Sequence, residues 1–105
     1  MPQFAVYRNR NPQSKARFPL LLDIQSDLLE PLGTRVVVPL TASSGKLSRS
    51  MTRLTPILKF AGKEYLLVTP QLAGIPVTAL GPSVGDLAGD RQTITAALDF
   101  LIAGF

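Results

Sequence analysis

The sequence predicts a mainly β fold, in which short antiparallel strands form a small curled sheet or partly open barrel with one C-terminal α-helix packed on it. Three observations predict this fold. The chain has 105 residues, 46% of them hydrophobic, which is enough for one domain (residues 1–105) with one core. Short runs rich in β-formers alternate with segments of turn residues. A helical spacing of apolar residues follows near the C-terminus.

The strand pattern occurs in six segments: residues 3–7, 20–24, 34–40, 56–60, 64–69 and 76–80. Pro39 lies near the end of the third segment and favours a strand end or a sheet edge. Residues 61–63 contain Gly62 and join two β-rich runs, which predicts a β-hairpin. The basic segments 8–17 and 41–54 are predicted to be polar loops, and residues 81–85 are predicted to be a turn.

The predicted helix runs from about Asp86 or Asp90 to the end of the chain. Acidic residues at its start complement the helix macrodipole. Its apolar positions recur at helical spacing: Leu87, Ile94, Leu98, Leu101 and Phe105, with Ile102 beside them. Chain termini are usually polar. An apolar terminus is therefore expected to be buried in the core, in a second copy of the chain or in a target protein.

The composition argues against several kinds of chemistry. The sequence contains no cysteine and no histidine, which removes thiol nucleophiles, zinc–thiolate sites and the commonest general base. We therefore expect no metal and no cofactor. Its apolar runs are far shorter than the roughly 18 residues of a membrane span, and no signal peptide is visible, so we expect a cytoplasmic protein without a membrane partner.

Charge is distributed unevenly along the chain. Residues 1–63 carry ten lysines and arginines against three acidic residues, whereas residues 64–105 carry one against four. The basic half would attract an acidic peptide or a phosphate backbone, although a simple solvated surface explains it equally well. The basic loops near Tyr7 and Phe18 also suit single-stranded nucleic acid, but the chain has only seven aromatic residues and most are needed for the core.

Two carboxylates lie close together in the segment Asp23-Ile-Gln-Ser-Asp27. Such a pair can perform acid–base chemistry or hold Mg²⁺. Alternatively, Asp23 ends a strand while Ser26 and Asp27 cap the turn after it. We favour the second interpretation because no third ligand is evident. From residue chemistry alone, an interaction module is favoured over an enzyme.

Several segments then form a pattern along almost the whole chain. They are Gln3-Phe4 with Val6-Tyr7, residues 23–29 (DIQSDLL), Gly33-Thr34-Arg35 leading to Val38-Pro39-Leu40, Pro56, Ile75-Pro76-Val77, and Gly104 followed by a bulky apolar residue. Together they resemble the CcdB family of toxins from toxin–antitoxin pairs. The segment 23–29 is the most specific of them.

The resemblance implies a small SH3-like antiparallel β-barrel of the CcdB/Kid/MazF type that acts as a homodimer and not as an enzyme. It implies the toxin of a type II toxin–antitoxin system, which binds the A subunit of DNA gyrase and traps the gyrase–DNA cleavage complex. It also implies plasmid maintenance, and a CcdA-like antitoxin whose disordered acidic tail neutralises the toxin and shares in transcription autoregulation. DNA would be contacted only through the antitoxin or gyrase.

The resemblance also implies two sets of binding residues and no catalytic residue. The gyrase-binding set is Leu28, Leu29, Asp99, Ile102, Ala103, Gly104 and Phe105. The antitoxin-binding set is Tyr7, Arg8, Arg10 and Lys46.

One position departs from the family pattern, and it leaves alternatives open. The best-known family member has tryptophan where Ala103 stands, so the interface is either repacked, with Phe105 as its aromatic residue, or has lost gyrase poisoning. A ribonuclease toxin on the same fold would need an acid–base pair such as Arg35 with Asp23 or Asp27. A basic barrel that binds nucleic acid is a further alternative.

Overall fold

The computed structural model describes residues 2–43 and 53–104. Within them lie seven strands and one α-helix: β1 Ala5–Asn9, β2 Leu20–Asp23, β3 Thr34–Ala42, β4 Ile57–Phe60, β5 Lys63–Leu67, β6 Ala73–Pro76, β7 Leu80–Asp86 and α1 Arg91–Ala103. Single 3₁₀ turns lie at Asp27–Leu29, Thr69–Gln71, Val77–Ala79 and Ala88–Asp90. The predicted mainly β fold with one C-terminal helix is confirmed.

The strands form one curled antiparallel sheet in the order β4-β5-β3-β2-β1-β7. The long strand β3 connects its two parts, because its first residues pair with β6 and its last residues pair with β5. Both pairs use the same edge of β3, which requires the sheet to split there and curl. The sheet thus becomes a half-barrel that covers a core on each face.

Alternation along the strands divides the buried side chains between two clusters. The larger cluster contains Val6, Leu22 and Val38, and α1 packs on it through Ile94 and Ala97. The smaller cluster, on the opposite face, contains Ala5, Tyr7, Leu21, Val37 and Leu80. Successive residues of β1, β2 and β3 therefore point to different clusters, as a strand period of two requires.

The hairpin prediction is confirmed, but two predictions that follow it are wrong. Residues 76–80 do not form a strand: β6 ends at Pro76 and a 3₁₀ turn covers Val77–Ala79. Residues 81–85 do not form a turn but lie within β7. A Cβ on Gly81 would lie 2.7 Å from the Arg8 carbonyl oxygen, and one on Gly85 would lie 2.9 Å from the Phe60 ring. These glycines permit close approach of neighbouring strands.

The predicted helix start near Asp90 is confirmed. Asp90 occupies the N-cap position of α1, although its side chain makes no capping hydrogen bond. Asp86 instead accepts a hydrogen bond from the Ala88 amide at 2.9 Å in the turn before the helix. The predicted loops are shorter than expected, since β1 extends to Asn9 and β3 extends to Ala42. Residues 44–52 of the second loop lie outside the described residues.

Candidate functional site

The end of α1 exposes part of the predicted gyrase-binding set. Ile102 is 80% exposed, and Asp99, Ala103 and Gly104 are exposed beside it. Gly104 adopts a φ of 80° and donates its amide to the Phe100 carbonyl oxygen at 3.0 Å, which ends the helix in a left-handed cap. Phe105 lies outside the described residues. The end of α1 therefore presents an aliphatic side chain that contributes nothing to the core.

A second exposed apolar site is the 3₁₀ turn Asp27–Leu29, which we call the leucine turn. Leu28 is 90% exposed and Leu29 is 48% exposed, and none of the three residues of the turn is buried. Leu32, which the sequence did not single out, is 50% exposed just beyond the turn. Most aliphatic side chains of this size are buried in a folded domain. Adjacent exposed leucines are typical of a protein interface.

Hydrogen bonds fix the leucine turn. The Ser26 hydroxyl accepts a hydrogen bond from the Leu28 amide at 3.2 Å, so Ser26 caps the turn as predicted. The Asp27 carboxylate accepts one from the Gln3 amide at 2.6 Å, and the Gln3 side chain donates to the Ile24 carbonyl oxygen at 3.0 Å. Gln3 thus holds the turn from one side through these two hydrogen bonds.

Asp23 lies behind the leucine turn, in a fully buried ion pair with Arg35. The Arg35 Nε and Nη2 atoms lie 2.8 and 2.7 Å from the same Asp23 carboxylate oxygen, and both side chains are 0% exposed. Asp23 is the last residue of β2, as predicted. Burial raises the pKa of the Asp23 carboxyl, and hydrogen bonds from Arg35 and from the Gln25 amide oppose that rise. The ion pair is inaccessible to solvent, and its role is structural.

Gln25 was not predicted as a site residue, yet it joins the buried ion pair to the leucine turn. Its side-chain NH₂ donates to the Leu29 carbonyl oxygen at 3.2 Å, and its side-chain oxygen accepts from the Val36 amide at 3.0 Å. Its backbone bonds to both Asp23 and Arg35. A single glutamine between two aspartates gives no sequence signal for such a network.

The predicted antitoxin-binding residues divide between surface and core. Arg8 and Arg10 are exposed, whereas Tyr7 is only 6% exposed and packs in the smaller cluster. Burial raises the pKa of the Tyr7 phenol, and the nearby charge of Asp23 adds to the rise. Lys46 lies outside the described residues. The structure therefore places the two arginines at the surface and Tyr7 beneath it.

The basic loop after β1 has a defined shape. The Asn9 side chain donates to the Ser14 hydroxyl at 3.0 Å and to the Phe18 carbonyl oxygen at 2.9 Å. The Arg17 guanidinium lies 5.1 Å from the centre of the Phe18 ring. A groove of about 260 Å³ opens beside the loop, lined by Phe18 and, among others, by Leu21, Val37 and Ile75 at the smaller cluster. The loop thus borders an apolar surface with positive charge.

The leucine turn and the end of α1 are held by different parts of the chain. Among the described residues, α1 packs chiefly on the larger cluster and on the 3₁₀ turn Thr69–Gln71. The two apolar sites are therefore separately anchored.

Neither a metal site nor a membrane-spanning helix is present in the described part of the chain. In residues 2–43 and 53–104, no group of three or more acidic side chains lies together as a metal site would require. In the same residues, no helix is both long enough and apolar enough to cross a membrane.

Comparison with known proteins identifies the family. A solved structure described as an endoribonuclease in complex with its cognate antitoxin, from a mycobacterial species, has the same fold with a TM-score of 0.75. The two share 14% sequence identity, and the match covers 97% of this chain and 94% of that one. The family model of the CcdB protein matches residues 3–104, almost the full length. The chain therefore belongs to the CcdB family of toxins.

Proposed function

We propose that this chain is the toxin of a type II toxin–antitoxin pair, which binds the A subunit of DNA gyrase and traps the gyrase–DNA cleavage complex. The observation that carries the proposal is the exposure of Leu28 and Ile102, at 90% and 80%, on two separately anchored elements. A protein that acts by binding needs such an apolar surface, with a few large side chains as anchors.

Gyrase binding in this proposal involves a homodimer. The leucine turn and the end of α1 are anchored separately in one protomer, and a two-fold axis would present each of them twice. A self-symmetric surface suits a target that is itself two-fold symmetric. Cross-linking of the purified chain tests the dimer, since a protein that stays monomeric at high concentration would contradict it.

The proposed toxin is not an enzyme, although the mycobacterial structure of the same fold is described as an endoribonuclease. The acid–base pair that a ribonuclease would need here is Arg35 with Asp23, and both side chains are fully buried. Asp27 is exposed, but its carboxylate is engaged with the Gln3 amide. Purified chain incubated with RNA should leave it intact, whereas metal-independent cleavage that is lost in Asp23→Asn would support the ribonuclease alternative.

Neutralisation belongs to the same proposal. The exposed side chains Arg8, Arg10, Lys15 and Arg17 lie on or next to the loop after β1 and would attract the acidic tail of a CcdA-like antitoxin. The mycobacterial toxin of the same fold is seen with its own antitoxin. We expect affinity for the cognate antitoxin to fall as salt is raised, because exposed charges are screened. Affinity measured by calorimetry that does not change with salt would contradict this surface.

The experiment that tests gyrase binding is a pull-down of a gyrase A-subunit fragment by the purified chain. A deletion of Gly104 and Phe105 is compared with the intact chain, and Ile57→Ala serves as a control because Ile57 is an exposed aliphatic residue on β4, outside both apolar sites. Binding by the intact chain and the control, but not by the deletion variant, supports the proposal. Absence of binding by the intact chain contradicts it.

A further inference from the structure

The leucine turn has an unusual basis for its order. None of its three residues is buried and Leu28 is 90% exposed, so packing holds the turn only weakly, and such segments open locally at low cost. Its orientation must therefore come from hydrogen bonds. Those to Gln3 and Ser26 lie near the surface, whereas the bond from the Gln25 side chain to the Leu29 carbonyl oxygen comes from a residue that is only 7% exposed.

Gln25 uses all four of its polar groups within this region. Its backbone N–H donates to the Asp23 carboxylate at 3.0 Å, and its backbone carbonyl oxygen accepts from Arg35 Nη2 at 3.3 Å. Its side-chain oxygen faces the Val36 amide and its NH₂ faces the Leu29 carbonyl oxygen, so both ends of the side-chain amide have a defined partner. The side chain of Gln25 therefore links β3 to the leucine turn, and its backbone adds contacts to Asp23 of β2 and to Arg35 of β3.

We propose that Gln25 is a positioning residue, whose buried side-chain amide fixes the leucine turn in the orientation that presents Leu28 to the target. This inference rests on the proposed function, since the target is the A subunit of gyrase. An anchor that is already ordered loses less freedom on binding, so its rigidity adds to affinity without a direct contact. Gln25 contributes through Leu28 and makes no contact with the target itself.

The test uses Gln25→Met, which keeps the length of the side chain and removes both of its hydrogen bonds. Gln92→Met is the control, because Gln92 is exposed on α1 and the substitution is the same. We expect Gln25→Met to weaken binding to the gyrase A-subunit fragment about ten-fold, and Gln92→Met to leave it unchanged. Unchanged affinity in a folded Gln25→Met protein would overturn the inference.

A double-mutant cycle separates positioning from general loss of structure. Adding Gln25→Met to a Leu28→Ala background should cost little further affinity, because the anchor that Gln25 positions is already gone. Fully additive losses would show that Gln25 acts elsewhere and would overturn the inference.

Hydrogen exchange supplies a readout that does not depend on gyrase. Gln25→Met should accelerate exchange of the amides of Leu29, Glu30 and Leu32 about ten-fold or more, while the amides of α1 keep the protection of the parent chain. If the parent chain fails to bind gyrase, the proposed function fails, and this experiment still decides whether Gln25 orders the turn. Equal exchange in the two proteins would overturn its role.

A second variant covers the case in which Gln25→Met does not fold. Gln25→Glu keeps the oxygen that accepts from the Val36 amide and replaces the donor that faces the Leu29 carbonyl oxygen. The amides of Leu29, Glu30 and Leu32 should then exchange faster than in the parent chain, as expected for Gln25→Met. Exchange identical to that of the parent chain would contradict the inference.

Discussion

The two exposed apolar sites of this protein are held in place by different physical means. Packing fixes the position of the end of α1, because Ile94 and Ala97 of the same helix are fully buried. The leucine turn has no buried residue and depends on hydrogen bonds to Gln3, Ser26 and Gln25. Two similarly exposed sites can therefore differ in how firmly they are held. Packing holds the helix end, whereas a small number of polar contacts holds the turn.

The largest expected effect comes from breaking the ion pair behind the leucine turn. Arg35→Met leaves the Asp23 carboxylate buried without its partner, which should lower the free energy of unfolding by about 3–5 kcal/mol. Urea denaturation of the variant measures the loss. The double variant Asp23→Asn/Arg35→Met removes the buried charge and should recover part of it. A loss below about 1 kcal/mol in Arg35→Met would contradict the prediction that the buried ion pair matters to the stability of the fold.

Removal of the end of α1 should greatly weaken gyrase binding while leaving the fold intact. Deletion of residues 103–105 removes Phe105, the exposed Ala103 and the Gly104 cap, but leaves Ile94 and Ala97 in the core. We expect gyrase affinity to fall about 100-fold, with a loss of toxicity in bacteria, because the cut removes three residues of the proposed gyrase-binding set and the Gly104 cap beside Ile102. Circular dichroism checks the fold, and normal killing by the truncated chain would contradict the prediction.

Truncation of one leucine should give a smaller loss. Leu28→Ala removes a side chain that is 90% exposed, so the free energy of unfolding should stay within about 0.5 kcal/mol of the parent value. Gyrase affinity should fall about ten-fold, as for a moderate interface anchor. Calorimetry measures both quantities. A stability loss without an affinity loss would mean that Leu28 serves the fold and not a partner.

The smallest expected effect lies outside both sites and provides a baseline. Ala61 has a φ of 52° in the two-residue β4–β5 turn, where Gly62 follows with a φ of 80°. Ala61→Gly relieves this left-handed conformation and should raise the free energy of unfolding by about 0.5–1 kcal/mol. Gyrase binding should not change. Thermal unfolding measures the gain, and a destabilised variant would contradict the assignment of strain to this position.

The sequence predicts the helix and the hairpin because their signals are local. The apolar spacing around Ile94 and the glycine of the 61–63 connection need no knowledge of the rest of the chain. Strand β7 was missed for the opposite reason. Gly81 and Gly85 look like turn residues, and only the fold shows that they let β7 approach the Arg8 backbone and the Phe60 ring.

The candidate site was predicted in part. Leu28, Leu29 and Ile102 came from family resemblance, and the structure exposes all three. Tyr7 was expected at a binding surface but is buried, because the alternation of β1 directs it into the smaller cluster. The sequence gives no signal for the roles of Gln25 and Leu32, since the role of each depends on contacts or exposure set by distant strands. Patterns along the chain reveal anchors more readily than the polar network that orients them.

The most direct test of gyrase poisoning is a DNA cleavage assay with purified gyrase, supercoiled plasmid and this protein. If the chain poisons gyrase through its exposed apolar sites, linear DNA should accumulate with the intact chain and with Ile57→Ala. It should not accumulate with the deletion of residues 103–105. Absence of cleaved DNA with the intact chain, or equal cleavage with the deletion variant, would contradict the account.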